Sequence, residues 1–367
     1  GRPLPGRTVI LATATVSLAL VMGTVQARAE TLTDALIAAY NNSHLLDQNR
    51  AVLRAADEDV AIAVASLMPV ISYTVQAGLT RNWFDLADGT RRINETLGAS
   101  LTLSAEFLLF DFGRRDAGIE VAKASVLATR QALVNVEQQV LFDAVRAYVN
   151  VRLAQEIVLL RQSNLRLITQ ELRAARDRFD VGEITKTDVS IAEARLAASR
   201  SALAAAEGDL AVAREAYKAA TGAYPGKLAA LPATPKIGKT VEDAQAVARR
   251  THPLILQAMQ LVTVAEKRVE LAAANMKPTV GLGASVTLRD DSTLTQQLGL
   301  SMKQTIYAGG ELSALYRKAL AGQEQAKAQL GQTTVTVLQN LGVAWANLAV
   351  YAASIEASDR QIRAAQT

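Results

Sequence analysis

The chain repeats itself. Ala56-Asp57-Glu58-Asp59-Val60 aligns with Ala265-Glu266-Lys267-Arg268-Val269, and Pro69 with Pro278, at an offset of 209 residues. Further on, Leu101 aligns with Leu298, Gly113 with Gly310, Val140 with Val337 and Asn150 with Asn347, at an offset of 197. A duplicated sequence builds a duplicated structural unit, so the fold must be made twice. The offset falls by 12 between the two blocks. The first unit therefore holds twelve extra residues, in the polar stretch around Asn82 to Asn94, which reads as a longer loop.

Within each unit the periodicity switches twice. Ala51 to Leu67 is alanine-rich and favours helix, and Pro69 ends it. Strict alternation follows. Ile71, Tyr73, Val75, Ala77 and Leu79 are apolar; Ser72, Thr74, Gln76 and Gly78 are not. Leu97, Leu101 and Leu103 alternate with Gly98, Ser100, Thr102 and Ser104, and the second unit does the same over Val280–Leu288 and Leu298–Met302. These are β-hairpins over 70–106 and 279–304, with strands of about ten residues. That is the length of a tilted strand crossing a bilayer; it also fits an amphipathic sheet packed on a soluble core. In the membrane case Ile71, Tyr73, Val75, Leu101, Leu103, Val280, Leu282 and Leu300 face lipid. Ser72, Thr74, Ser100, Thr102, Gly281 and Gly299 then face a lumen. A one-residue slip would reverse every member.

After each hairpin a helical pattern resumes. Gly113 to Val181 has no proline and only Gly118 inside it, a helix of about 100 Å if regular. Its seam runs Leu133, Val136, Val140, Ala144, Ala147, Val151, Ala154, Val158, then Leu165, Ile168, Leu172, Ala175, Phe179. The return seam runs Val189, Ala192, Leu196, Ser199, Leu203, Ala206, Leu210, Ala213, Tyr217. Such heptads predict an antiparallel coiled coil over 113–221. Residues 222–239, with Pro225, Pro232 and Pro235, form a connector between a first repeat (30–221) and a second (240–367). The duplication puts the second repeat's tip at position 379, Gly182 plus 197, beyond Thr367. The expectation is a protein cut short at its C-terminus, its second repeat lacking the return helix.

Residues 1–29 read as a secretory signal: Arg2 and Arg7, an apolar Val9–Val25, and Ala27-Arg28-Ala29 before Glu30. Without Arg2, Arg7 and Arg28, 36 of the 39 basic residues face 35 acidic ones, so the charge gives little reason to expect nucleic acid. The chain has no cysteine and two distant histidines, His44 and His252. This excludes disulfides and thiolate chemistry and disfavours a histidine metal cluster. After Glu30 there is no uninterrupted run of ~18 apolar residues of the kind that spans a membrane. Gly281-x-Gly283 sits in a strand, away from any strand-to-helix turn, and is no nucleotide fingerprint. No catalytic, cofactor-binding or metal-ligating residue is expected, and no enzyme.

Four strands cannot close a barrel, and an open edge in lipid is costly. Three copies supply twelve strands, enough to leave a pore. At this point a resemblance becomes specific. Arg178-Phe179-Asp180-Val181-Gly182 followed by Thr187-Asp188-Val189 resembles the turn between long helices in TolC-family outer-membrane factors. Phe110-Asp111-Phe112-Gly113-Arg114-Arg115 resembles their strand-to-helix exit. The resemblance implies an α+β, mainly α, membrane protein: a homotrimer with a twelve-stranded outer-membrane β-barrel continued by a periplasmic coiled-coil α-barrel. It implies no cofactor, and as partners a periplasmic adaptor and an inner-membrane transporter, of the drug-efflux or type I secretion kind. It also implies an adaptor-contacting tip at Val181, Gly182 and Glu183, where Glu183 departs from the family's usual leucine. Asp188 stands where the family has a gate-latching aspartate, or is a helix N-cap. Trp83 and Phe84 suit an aromatic girdle or local packing equally, as do Phe107, Phe110 and Phe112. A periplasmic adaptor and a structural coiled-coil protein are the alternatives.

Overall fold

The computed structural model describes residues 29–86, 89–235, 237–238 and 240–366. The signal sequence expected over 1–29 lies, but for Ala29, outside these residues. The first repeat gives α1 (Leu32–Asn42), α2 (His44–Ala65), β1 (Val70–Asp85), β2 (Arg91–Phe110), α3 (Arg114–Asp180) and α4 (Lys186–Thr221). The second gives α5 (Val241–Thr251), α6 (Pro253–Ala274), β3 (Thr279–Arg289), β4 (Leu294–Lys303) and α7 (Glu311–Gln366).

The duplication survives to single residues. α5 and α6 begin and end 209 positions after α1 and α2, β3 begins 209 after β1, and α7 begins 197 after α3. The caps repeat too. Thr31 caps α1 by accepting from Asp34 N–H, and Thr240 caps α5 by accepting from Asp243 N–H. Each strand-to-helix elbow turns through two consecutive left-handed residues, Phe112 and Gly113 (φ 54° and 84°) or Gly309 and Gly310 (φ 59° and 85°). Side chains rarely adopt that conformation, so glycine at the second position of both elbows keeps the reversal inexpensive.

The four strands form one antiparallel sheet in the order β1-β2-β3-β4. The twelve extra residues of the first repeat are paired strand and not a longer loop. Leu79↔Leu97 corresponds to the last pair of the second hairpin, Leu288↔Leu294. Six further pairs, Thr80↔Thr96 to Asp85↔Arg91, consume all twelve. Their polar side chains read as loop in the sequence, but across the ladder they pair Arg81 with Glu95 and Arg91 with Asp85.

The helices form a layer in which α2 packs on α3, α3 on α6 and α6 on α7. α4 returns antiparallel along the far half of α3. The seam between them holds Ala144, Ala147, Val151, Val158 and Leu172 of α3 and Ser199, Ala206 and Tyr217 of α4, all buried. Arg176–Glu193 and Asn164–Ser199 tie its flanks. α7 contains a window of mean hydropathy 1.2, enough to pass as a spanning helix by length and composition. It packs along α5 and α6, and Val337 is buried against Ala248 and Ile255. As the equivalent of α3, it belongs to the helical layer.

The helix starts at α2 and α6 are equivalent but chemically different. Ser43 Oγ accepts from Leu46 N–H, whereas His252 Nδ1 accepts from Leu254 N–H at 3.3 Å. Burial holds the His252 imidazole below its ordinary value. A folded value below the unfolded one means that the neutral cap contributes fully above about pH 6.5 and is lost as pH falls through the folded value. The wild-type melting temperature should fall more between pH 7.5 and 5 than that of His252→Ser, which restores the cap of the first repeat. Equal pH dependence would contradict this.

Candidate channel wall, junctions and tip

Register sorts the strand residues onto two faces. One carries the rows Val75↔Leu101↔Leu288↔Leu294 and Ile71↔Ala105↔Ala284↔Leu298. Tyr73 and Leu103 share it with Val286, as do Leu282 with Leu300 and Val280 with Met302; Gln296 interrupts it. The other carries a row of four threonines, Thr74↔Thr102↔Thr287↔Thr295, beside Ser72↔Ser104↔Ser285↔Gln297. Ser72 and Ser104 hydroxyls lie 2.8 Å apart, and those of Thr102 and Thr287 lie 3.0 Å apart. Ser100, Gly281 and Gly299 belong to this second face. Along β2, Ala99, Leu101 and Leu103 are exposed while Gly98, Ser100, Thr102 and Ser104 are half-buried. Over this stretch of β2 the apolar side chains are thus more exposed than the hydroxyl row. At the helix-proximal end a bulge at Leu109 shifts the β2–β3 register. Trp83 pairs with Ile93 and Phe84 with Arg92, inside the extended hairpin and both exposed. Phe110 and Phe112 stack edge-on, 4.5 Å apart, at the other end.

Two polar constructions hold junctions, one between sheet and helices and one between helices and connector, and neither was apparent from sequence patterning. At the first elbow Asp111, 5% exposed, accepts from Arg115 N–H at 3.0 Å and from its Nε at 2.8 Å. Arg115 Nη1 donates to the Ser66 carbonyl at the end of α2. The second is a clasp at Glu30. Its backbone pairs with Lys227 and Ala229, and its carboxylate accepts from Gly226 N–H and from the Tyr217 hydroxyl at 2.5 Å. The Tyr148 hydroxyl bridges the carbonyls of Glu30 and Ala229. Both tyrosines are fully buried, and burial first, then the Glu30 carboxylate, raises the pKa of Tyr217. The start of the first repeat, the connector, α3 and α4 are thereby held at one point. The signal was weak, since the partners lie 118 and 187 positions apart.

The tip is a helix stop and a helix start. Gly182 (φ 79°) donates to the Phe179 carbonyl, and Glu183 N–H donates to that of Arg178. This closes α3 with the paired bonds of a left-handed glycine C-cap. Thr185 is the N-cap of α4. Asp188 is its reciprocal partner, with Oδ2 accepting from the Thr185 N–H and hydroxyl at 2.9 and 2.7 Å. Asp188 is thus the third residue of a capping box and not the N-cap itself. Those bonds hold its carboxyl below the usual range. Val181 is 72% exposed, and Glu183 is exposed. A groove of about 330 Å³ beside the tip is lined by Ile168, Ala175 and Ile191, with Glu171, Asp188 and Arg195. Among the described residues no group of three or more acidic or histidine side chains is placed to hold a metal ion.

Comparison with known proteins agrees with this architecture. The model of the outer membrane efflux protein family matches residues 35–223 and 246–367. The outer membrane efflux protein BepC of Brucella suis is 34% identical over 349 residues, covering 93% of this chain and 74% of BepC. The proteases secretion protein PrtF of Dickeya chrysanthemi is 26% identical, covering 87% of this chain and 74% of PrtF. Among solved structures, CusC superposes with a TM-score of 0.78 at 19% identity, over 92% of this chain and 80% of CusC. The outer membrane protein VceC of Vibrio cholerae gives 0.73 at 20%, over 90% and 81%. These matches support a channel and give no support to an adaptor or a purely structural coiled coil. A twice-built unit of open-edged sheet and long helices, matched along nearly its whole length, places this chain in the outer membrane efflux protein family.

Proposed function

We propose that three copies of this chain close one twelve-stranded barrel and continue it as a helical tunnel, a passive exit duct from periplasm to exterior. The observation that carries this is the sheet. It has two open edges and one exposed apolar face, and β3 and β4, at 11 and 10 residues, have the length of spanning strands. In lipid those edges must find partners, and copies of the same sheet supply them. The protein is an outer-membrane channel of the efflux and type I secretion class. Ile71, Tyr73, Val75, Leu101, Leu103, Val280, Leu282 and Leu300 then meet outer-membrane lipid, and the threonine row becomes a neutral ring around the lumen. The extended end of the first hairpin, carrying the Arg81–Glu95 and Asp85–Arg91 pairs, projects beyond the bilayer.

The duct is driven from elsewhere. Relatives named for efflux and for protease secretion support a working partnership with a periplasmic adaptor and an inner-membrane transporter. In this reading Val181, Gly182 and Glu183, exposed at the end of the α3–α4 hairpin, meet the adaptor. Asp188, with Oδ2 committed to Thr185, keeps Oδ1 available to latch the closed tunnel.

Leu101→Arg should destabilise the folded channel by about 2–4 kcal/mol, as a cation does at mid-bilayer. Ser100→Arg should be tolerated, both read by unfolding in lipid vesicles. Equal tolerance would overturn the facing assignment. At the tip, Gly182→Leu strains a left-handed position by about 1–2 kcal/mol. It should stop export of a fluorescent efflux substrate while trimers persist on gels. Asp188→Asn, which keeps a cap acceptor but loses the charge, should leave a leaky envelope. Loss of the trimer in either variant would make these residues structural.

A further inference from the structure

Four helices converge on one cavity. Residues of α2, α3, α6 and α7 line a recess of about 800 Å³. These helices pack only in sequence, α2 on α3, α3 on α6, α6 on α7, so all four reach a common space only on the hollow side of a curved layer. The duplication identifies the same face in both repeats. Asn49 and Ala258, Ser125 and Gly322, and Ala132 and Gln329 are equivalent pairs, and every member lines the recess.

Two lining positions break that symmetry in charge. Arg268 stands where the first repeat has Asp59, and Lys318 where it has Val121. Both are exposed, and no carboxylate is among the described lining residues. Neighbouring basic residues on other faces are neutralised: Lys267 pairs with Glu270, and Lys327 approaches Glu266. Arg268 and Lys318 make no ion pair among the described residues. Beside them Leu261 and Leu315 are 44% and 45% exposed, which is apolar surface left without cover. Gly322 adds room, since a Cβ there would meet nothing within 4 Å.

We propose that this recess binds amphipathic organic anions. A rigid apolar body lies against Leu261 and Leu315, and its carboxylate or sulfonate sits between Arg268 and Lys318. The volume falls in the ~300–1,000 Å³ range of small-molecule sites. Unpaired cations in a half-enclosed concavity concentrate anions and repel cations. The site deepens the duct reading and rests on it for placement, because the hollow side of the layer is the tunnel wall. The wall would then hold anionic cargo briefly on its way out.

The test is equilibrium dialysis of pyrene-1-sulfonate against the full chain in lipid nanodiscs, with 1-pyrenemethanol and 1-pyrenemethylammonium as neutral and cationic comparators. Saturable binding of the sulfonate in preference to both is expected. Arg268→Gln with Lys318→Gln should weaken it by about tenfold or more, the loss of charge-assisted contacts. Gly322→Leu fills the recess without changing its charge and should weaken it as well. Lys327→Gln, off this face, should not. Unchanged binding in the double variant, or equal binding of the cationic probe, overturns the site. Trimer content is scored in the same preparations. A trimer indifferent to the sulfonate overturns the site and leaves the duct standing; sulfonate binding by a chain that forms no trimer does the reverse.

Discussion

The structure depends on the unpaired backbone at the two edges of its sheet. β1 and β4 each turn a row of N–H and C=O groups away from the chain. In water such edges are a hazard that proteins blunt with charge or proline. Over Val70–Leu79 and Leu294–Met302 these edges carry neither charge nor proline, and Leu298, Leu300 and Met302 are largely exposed. A bilayer offers no water to satisfy them. Closure by further copies satisfies both edges at once, and it also fixes which face is inside. On the facing proposed above, the hydroxyl rows line the lumen and the leucines and valines meet lipid.

The helical layer follows from the same geometry. Each hairpin passes into a long helix through a left-handed elbow, so each strand pair leads directly into the helical layer. The alanine content of α3 and α4 lets helices approach on more than one side. Polar groups hold two separate junctions. Asp111 and Arg115 secure the first elbow, and Glu30 gathers the connector and both tyrosines. In each, buried polar atoms are satisfied, and a half-satisfied version would cost more than an apolar one.

Much of this could be read in the residues, because the two periods are strong. Alternation gave the strands and their phase, and the register puts Ile71, Val75, Leu101 and Leu300 on one face. The heptad seam matches the less exposed side of α3 and α4, from Ala144 to Leu172. Composition misled at Asn82 to Asn94, where residues typical of loops satisfy one another across a ladder. The role of Asp188 was half legible: Thr185-x-x-Asp188 is a capping-box spacing, but an aspartate at a helix start suits the N-cap equally well. The Glu30 clasp and the cation-lined recess join residues far apart in sequence. Only the fold brings them together.

The central claim is that β1 of one copy pairs with β4 of another. The chain has no cysteine, so introduced thiols report without background. Within one chain β1 and β4 are separated by two strands, about 14 Å at sheet spacing, beyond the ~7 Å limit for a disulfide. Thr74→Cys would be combined in turn with Cys at 297, 299 and 301, then oxidised in membranes and run on denaturing gels. The account predicts covalent trimers from at least one register. Monomers throughout, with both thiols reactive to a membrane-impermeant maleimide, would contradict it.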